Sequence, residues 1–357
     1  MNGLDSMEKT KYLNWRGKLV NLSRIKKILV VQPKPFGDVL LTSAYLPALR
    51  HKFPDAQIDY FVAKPYDRMV YKHPSLDNVV AVNHRPGKWY IIDRLISFWI
   101  VFRRRYDLVI DQNCSTTSTQ VVALSGARYR LGYDSGQSAM FSNIQTVYGP
   151  DKYNAAKRYD MLKPFGIEEE PVKLFFYISP EEHQFAENWI KEHHLKDRRI
   201  VLYSPGTTYE YKAWKVDYFA ELADMVAERT NLVSVLLAAP DERSYLLKMA
   251  EKMKTPALVL PPLTLGQVGA FLKRVAFLFC NDGGLYHLSV ATQTPTLGFF
   301  GSVETIAWSA QGFVPTHFHL NNPEYQLEPE RHFGFTPLDA LERFKEIAPQ
   351  FDIKVRE

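Results

Sequence analysis

The sequence predicts an α/β protein made of two open domains with parallel sheets, facing each other across a cleft. Three observations lead there. Short β-branched runs alternate with stretches of helical periodicity, which is the pattern of βαβ units. That rhythm runs through the chain twice, with a stretch rich in Gly, Pro and charge between the two runs. The length of 357 residues accommodates two such domains with sizeable cores.

In the first run, strands are expected near 27–32, 57–62, 78–82, 107–112 and 128–132, with helices between most of them. Each is a short apolar stretch, such as Ile28 to Val31, and reads as a buried strand. The first strand gives way in VVQPKPFGDVLLTSAYLPALR (30–50) to two prolines, Gly37 and Asp38, and then to a helical pattern through Leu41, Leu46 and Leu49. The join is expected within 150–172, where PDKYNAAKRYDMLKPFGIEEEPV mixes Gly, Pro and charge around one helix. In the second run, strands near 199–203, 232–238, 257–260, 276–280 and 295–300 alternate with helices near 215–229, 242–253, 265–273 and 284–292. Ligands of open parallel sheets bind beyond the carboxyl ends of the strands, so functional residues are sought in the loops there.

Composition narrows the class. A hydrophobic content of 46% and a charged content of 23% describe a soluble globular chain. The formal net charge of +5 suits an anionic ligand or an anionic membrane surface, and no nucleic-acid partner is expected. Cys114 and Cys280 each end an apolar run and read as reduced core residues of a cytoplasmic protein. The charged N-terminus has no apolar core of a signal peptide. The longest apolar stretch, Leu95 to Phe102, falls short of the roughly 20 residues that span a bilayer. It lies within WYIIDRLISFWIVFRRRYD (89–107), which reads first as a crossover helix with a basic last turn. A helix lying on a membrane surface is the alternative. The chain has no G-x-G-x-x-G after its first strand, no G-x-x-x-x-G-K-[ST], no Asp-x-Asp pair and no histidines at metal-ligand spacing. A reaction without metal or cofactor is therefore expected.

Three loops carry the polar residues of interest. Asp38 either caps the helix after the first strand or is a base at the mouth of the sheet. In VLYSPGTTYEYKAWKVDYFAELA (201–223), a strand runs into Ser204-Pro205-Gly206-Thr207-Thr208 ahead of Lys212. Gly206 lets backbone approach a ligand, the threonines donate, and Lys212 adds a point charge suited to phosphate; a polar loop with a solvated lysine is the alternative. In AFLFCNDGGLYHLSVATQTPTLGFFGS (276–302), a buried strand ends at Asn281-Asp282-Gly283-Gly284, and His287 follows in the first turn of a helix. The Gly283-Gly284 amides at a helix N-terminus suit a diphosphate. Asp282 suits sugar or ribose hydroxyls, or caps the helix; His287 is equally well read as a packed histidine.

Together these loops resemble the ADP-heptose:lipopolysaccharide heptosyltransferases, glycosyltransferase family 9. That family has Gly-Asp after its first strand, a P-G-[AT]-x(n)-K-x-W segment, and D-x-G-x-x-H-L near the end. Here these are Gly37-Asp38; Pro205, Gly206, Lys212 and Trp214; and Asp282, Gly284, His287 and Leu288. YDLVIDQNCSTTSTQVVALSGARYRLGYD (106–134) and PTLGFFGSVETIAW (295–308) are similar too, and the likeness covers about residues 26–347.

The resemblance implies a GT-B fold: an N-terminal extension (1–25), an acceptor-side Rossmann-like domain (26–165), a nucleotide-sugar domain (166–335) and a C-terminal helix near the domain junction (336–357). It implies inverting, metal-independent transfer from a nucleotide-diphosphate sugar, ADP-heptose, to a lipid-linked or oligosaccharide acceptor of the lipopolysaccharide inner core. That places the chain in the cytoplasm, peripheral on the inner face of the inner membrane. Asp38 would be the general base, with Gly37, Gly206 and His287 in support. Thr207, Thr208, Lys212, Gly283 and Gly284 would hold the diphosphate, and Asp282 the sugar. The family's Gly-Gly before an acidic residue is replaced by Ala238-Ala239-Pro240 before Asp241 and Glu242, the candidates for the ribose. Pro35 and Phe36 stand where the family has smaller residues. A same-fold transferase with another nucleotide sugar for a capsule, glycan or protein acceptor is the alternative, and a non-catalytic sugar-nucleotide-binding protein is a further one.

Overall fold

Each half of the chain is organised around a parallel sheet that is buried on both faces. The computed structural model describes residues 20–33, 35–134, 136–207, 210–301, 305–322 and 333–357. The chain divides into two units, Met1–Phe175 and Phe176–Glu357.

Among the described residues, the first unit has strands β1 (Lys27–Val31), β2 (Gln57–Ala63), β3 (Asn78–Val82), β4 (Leu108–Asp111), β5 (Tyr129–Tyr133) and β6 (Ile144–Thr146). Its helices are α1 (Phe36–Thr42), α2 (Leu46–Lys52), α3 (Trp89–Arg104), α4 (Thr116–Leu124), α5 (Gly136–Phe141) and α6 (Asn154–Lys157). A 3₁₀ segment, Arg158–Phe165, follows α6. The second unit opens with helix α7 (Pro180–Glu192). Its strands are β7 (Ile200–Ser204), β8 (Val233–Leu236), β9 (Ala257–Val259), β10 (Phe277–Asn281), β11 (Thr296–Phe299) and β12 (His317–Leu320). The helices among them are α8 (Val216–Arg229), α9 (Arg243–Lys252), α10 (Leu265–Leu272), α11 (Gly284–Thr292), α12 (Thr305–Trp308) and α13 (Pro337–Ile347).

The sheet orders are β3-β2-β1-β4-β5-β6 and β12-β11-β10-β7-β8-β9. Counted within its own unit, each sheet has the strand order of a dinucleotide-type Rossmann fold. The order therefore reverses between β1 and β4, and again between β7 and β10. At those points neighbouring loops run away from each other and leave a crevice at the carboxyl edge.

Ten of these strands lie where the apolar runs predict them. Two of the four edge strands, β6 and β12, were not anticipated, because both are short and carry polar residues. Gln145 is exposed, and Phe318, His319 and Leu320 are only half-buried, so no continuous apolar run marks them. The stretch read as the join packs into the first unit: the Tyr159 hydroxyl donates to Ala44 O at 2.8 Å, and its ring meets Tyr45 edge-on.

The core of the second unit is aromatic. Trp214 is fully buried and packs against Phe299, Phe219, Tyr218 and Phe335. Helix α13 joins the same core through Leu341, Phe344 and Ile347. Trp214 thus pins the end of the loop that carries Lys212, two residues earlier.

Candidate functional site

In the first unit, polar side chains gather at the crevice between β1 and β4. Helix α1 starts at Phe36 with Pro35 in the N-cap position and no side-chain cap. Proline suits a helix start because it fixes φ and has no N–H to satisfy. The capping reading of Asp38 is therefore corrected: its carboxylate, in the first turn, instead forms an ion pair with Arg158 Nη2. Arg158 Nη1 donates to Gln112 O, just past β4, at 3.1 Å. One guanidinium thus ties the start of α1 to the end of β4. Beside it, Gln32 Nε2 donates to Asn113 Oδ1 at 2.8 Å and closes the floor of the crevice. Gly37 is half-buried next to Asp38.

Two further groups there are tuned by burial. Asp111, at the end of β4, accepts from Cys114 N at 2.9 Å, and burial pushes its carboxyl up to about 6. Burial, with the Asp111 charge, pushes the Cys114 thiol up to about 11; Cys280 is raised further by burial, and neither cysteine is in a disulfide.

In the second unit, the β7 and β10 loops meet at the other crevice. Asn281 couples them: its Nδ2 donates to Pro205 O at 2.8 Å, and its Oδ1 accepts from Trp214 N at 3.0 Å. Lys212 is held between these anchors. Its Nζ lies 2.6 Å from Asp282 Oδ2 and over the Trp308 ring, 5.7 Å from the centroid. Thr207 Oγ1 donates weakly to Asp282 O at 3.4 Å. Gly283 precedes α11 as an extended N-cap with no side-chain cap, so the first N–H groups of that helix, including that of Gly284, are not covered by a side chain. Gly206 is required by a close approach, since a Cβ there would sit 2.7 Å from Glu242 Cβ. That contact brings Glu242 to the same crevice. Its carboxyl is raised by burial first and by the Asp241 charge second.

The structure thus gathers Gly206, Thr207, Lys212, Asp282, Gly283, Gly284 and Glu242, while Asp241 faces solvent. Thr208 lies outside the described residues. His287 is buried beneath the cluster against Tyr286 and Trp308, and burial, with the Lys212 charge, lowers its imidazole to about 3. It is a neutral, packed ring. Among the described residues, no three His, Cys, Asp or Glu side chains come together in a way that would hold a metal ion.

Arg158, Asn281 and Trp308 were not singled out from sequence. Arg158 sits in a charge-rich stretch that looks like a linker and meets Asp38 across 120 positions. Trp308 ends the 295–308 stretch, where nothing in the spacing announces an aromatic wall for a lysine.

Two Rossmann-like units, each with a polar cluster at its switch point and one of them offering a cation beside an open helix N-terminus, define a glycosyltransferase of the GT-B type. More particularly, the chain belongs to Glycosyltransferase family 9 (heptosyltransferase), whose family profile matches residues 97–332. It is 23% identical over 335 residues to lipopolysaccharide heptosyltransferase 3 of Escherichia coli (strain K12), covering 89% of this chain and 93% of that one. It is 25% identical over 313 residues to lipopolysaccharide heptosyltransferase 1 of Pseudomonas aeruginosa, covering 83% and 84%. The fold is similar to that of the E. coli ADP-heptose lps heptosyltransferase II, with a TM-score of 0.72 at 18% identity over 91% of this chain and 99% of that one.

Proposed function

We propose that the protein transfers heptose from ADP-heptose, with inversion at the anomeric carbon, to a lipopolysaccharide inner-core acceptor. The observation that carries this reading is the Lys212–Asp282 pair, 2.6 Å apart beside the uncapped start of α11. A nucleotide-sugar transferase needs this combination: positive charge for the leaving diphosphate, and a carboxylate for hydroxyl groups once the lysine has turned to phosphate. The names of the relatives support heptose and lipopolysaccharide as the substrate classes.

In this mechanism the acceptor oxygen attacks the anomeric carbon from the face opposite the diphosphate. Asp38 takes the hydroxyl proton as the new C–O bond forms. The bond to the β-phosphate oxygen breaks, and the charge it leaves is met by Lys212, Thr207, Thr208 and the Gly283 and Gly284 amides. Asp282 orients the sugar, and Glu242, with Asp241 on its flank, takes the ribose. Arg158 fixes the rotamer of Asp38. No divalent metal enters this scheme.

The test is turnover of a panel of nucleotide sugars with truncated lipopolysaccharide acceptors. The expected result is transfer from ADP-heptose to inner-core acceptors. Faster turnover of another nucleotide sugar, or tight binding of ADP-heptose with no product on any acceptor, would replace this reading with one of its rivals.

A further inference from the structure

Helix α3 leaves a second apolar face exposed besides the one it packs on the sheet. The face it turns inward carries Asp93, Ser97 and Val101, all buried. Val101, with Phe98 and Ile100 beside it, packs on the core of the first unit, and ion pairs hold the helix as well. Arg85 grips Asp93 through both Nη2–Oδ1 at 2.6 Å and Nε–Oδ2 at 3.0 Å, and Arg104 Nη1 reaches the fully buried Asp59 at 2.8 Å. The outward face is apolar: Ile91 is 65% exposed, Leu95 61%, Trp99 59% and Phe102 59%. At 3.6 residues per turn, these four and Ile92 fall within about 100° of arc. A 16-residue helix that leaves such a stripe to water has an unmet partner.

The charge around the stripe says which partner. Lys88, Arg94, Arg103 and Arg105 flank it and have no carboxylate partner among the described residues. The Arg103 guanidinium lies over the Trp99 ring, 5.0 Å from its centroid. Asp93, the one acidic residue of α3, is buried and neutralised. Aromatic and aliphatic side chains rimmed by arginines suit the boundary between acyl chains and anionic headgroups. The geometry fits a bilayer surface and not a crossing of it: no described helix is long and apolar enough to span a membrane. In a parallel sheet every βα loop lies at the carboxyl edge, so α3, which follows β3, begins on the same edge of the first unit as Asp38.

We infer that α3 is a membrane-docking helix that lies in the plane of an anionic bilayer with Ile91, Leu95, Trp99 and Phe102 in the acyl boundary. Docking would hold the Asp38 edge of the first unit close to lipid, where a lipid-borne acceptor resides. The inference stands on α3 itself and does not depend on which sugar is moved.

The test is flotation of the full chain, without substrates, on vesicles of phosphatidylethanolamine and phosphatidylglycerol, with phosphatidylcholine vesicles as the reference. The wild type is expected to float on the anionic vesicles, less so as salt rises, with Trp emission quenched by brominated acyl chains. The variant Ile91→Gln/Leu95→Gln/Trp99→Gln replaces only exposed side chains, so its circular dichroism and melting temperature should match the wild type. Its partitioning should fall at least about tenfold, since each side chain loses apolar burial. A wild type that does not float overturns the inference. So does a triple variant that floats equally well, which would assign binding to the basic N-terminal extension. A wild-type dimer that the triple variant breaks, with neither form floating, would make this face a contact between two copies of the chain.

Discussion

Replacing Lys212 by Met separates two roles that the geometry superimposes on one ammonium. In the structure Lys212 neutralises Asp282; in the proposed complex it holds the diphosphate. At 2.6 Å the gross attraction is roughly 6 kcal/mol at an effective dielectric of 20. Desolvation returns most of it, and the Lys212 side chain keeps 21% of its exposure against 5% for Asp282. Lys212→Met is therefore expected to destabilise the second unit by about 1–3 kcal/mol, by leaving a buried carboxylate unpaired. For a unit of this size that lowers the melting temperature by roughly 3–10 °C.

ADP affinity should fall separately, by about 1.5–3 kcal/mol or roughly 10- to 150-fold, the value of a hydrogen bond to a charged group. The second substitution is decisive. In Lys212→Met/Asp282→Asn the unpaired charge is gone, so the melting temperature should return close to wild type while ADP affinity stays low. Calorimetric titration with ADP and thermal unfolding of the three proteins provide the readings. If Lys212→Met lowers the melting temperature but leaves ADP affinity unchanged, Lys212 is only the counter-ion of Asp282 and the diphosphate site is elsewhere.

Three more outcomes follow. Transfer should survive excess EDTA; complete loss, restored by Mg²⁺ or Mn²⁺, would contradict the metal-free scheme. Acid should weaken the second unit first. Burial lowers His287 and His317 to about 3, so below the unfolded value near 6.5 the unfolded chain binds protons that the folded unit refuses; Glu242, raised by burial, opposes these two rings. Stability is then full above pH 6.5 and falls on acidification towards pH 3, at up to about 1.4 kcal/mol per pH unit for each ring. In the first unit His73, lowered to about 4, acts in the same direction, but Asp111, raised to about 6, gains its proton earlier in the folded state and offsets it. Hydrogen exchange between pH 7 and 5 should show protection lost in the second unit and nearly unchanged in the first; equal loss in both would contradict this assignment. Finally, Arg158→Gln should lower kcat by about 10- to 100-fold at unchanged donor KM, because a misplaced base costs rate and not binding. Arg158→Lys should recover only part, since a point charge cannot hold Asp38 and Gln112 together. An unchanged kcat in Arg158→Gln would reduce the pair to a structural link.

Much of the fold could be read from sequence because parallel strands buried on both faces must be apolar throughout. The runs at Ile28–Val31 and Phe277–Cys280 could hardly be anything else. Two edge strands, β6 and β12, escaped because Gln145 and the His317–His319 pair interrupt their apolar pattern, whereas the other two edges, β3 and β9, kept enough Val and Leu to be read. The loops after β1, β7 and β10 drew attention because Gly, Asp and Thr gather at strand–helix junctions, where they also serve as turns and caps. Pairings across the chain were hidden. Nothing near Asp38 in sequence points to Arg158, and nothing near Lys212 to Trp308. The apolar character of α3 was plain, but its facing was not. Periodicity places Asp93 and Ser97 opposite the apolar stripe without saying which side meets the sheet. Arg85 and Asp59 decide that, by making burial of the polar side tolerable.

The central claim is that Asp38 is the base that takes the acceptor proton, and Asp38→Asn tests it most directly. Asn keeps the shape of the side chain and an oxygen for Arg158 to donate to, but removes the proton acceptor. A general base is worth about 10²–10⁴-fold in rate. The variant should lose kcat by that order, with its melting temperature and ADP affinity close to wild type. Turnover above about a tenth of wild type, from a protein that folds and binds ADP normally, would contradict it.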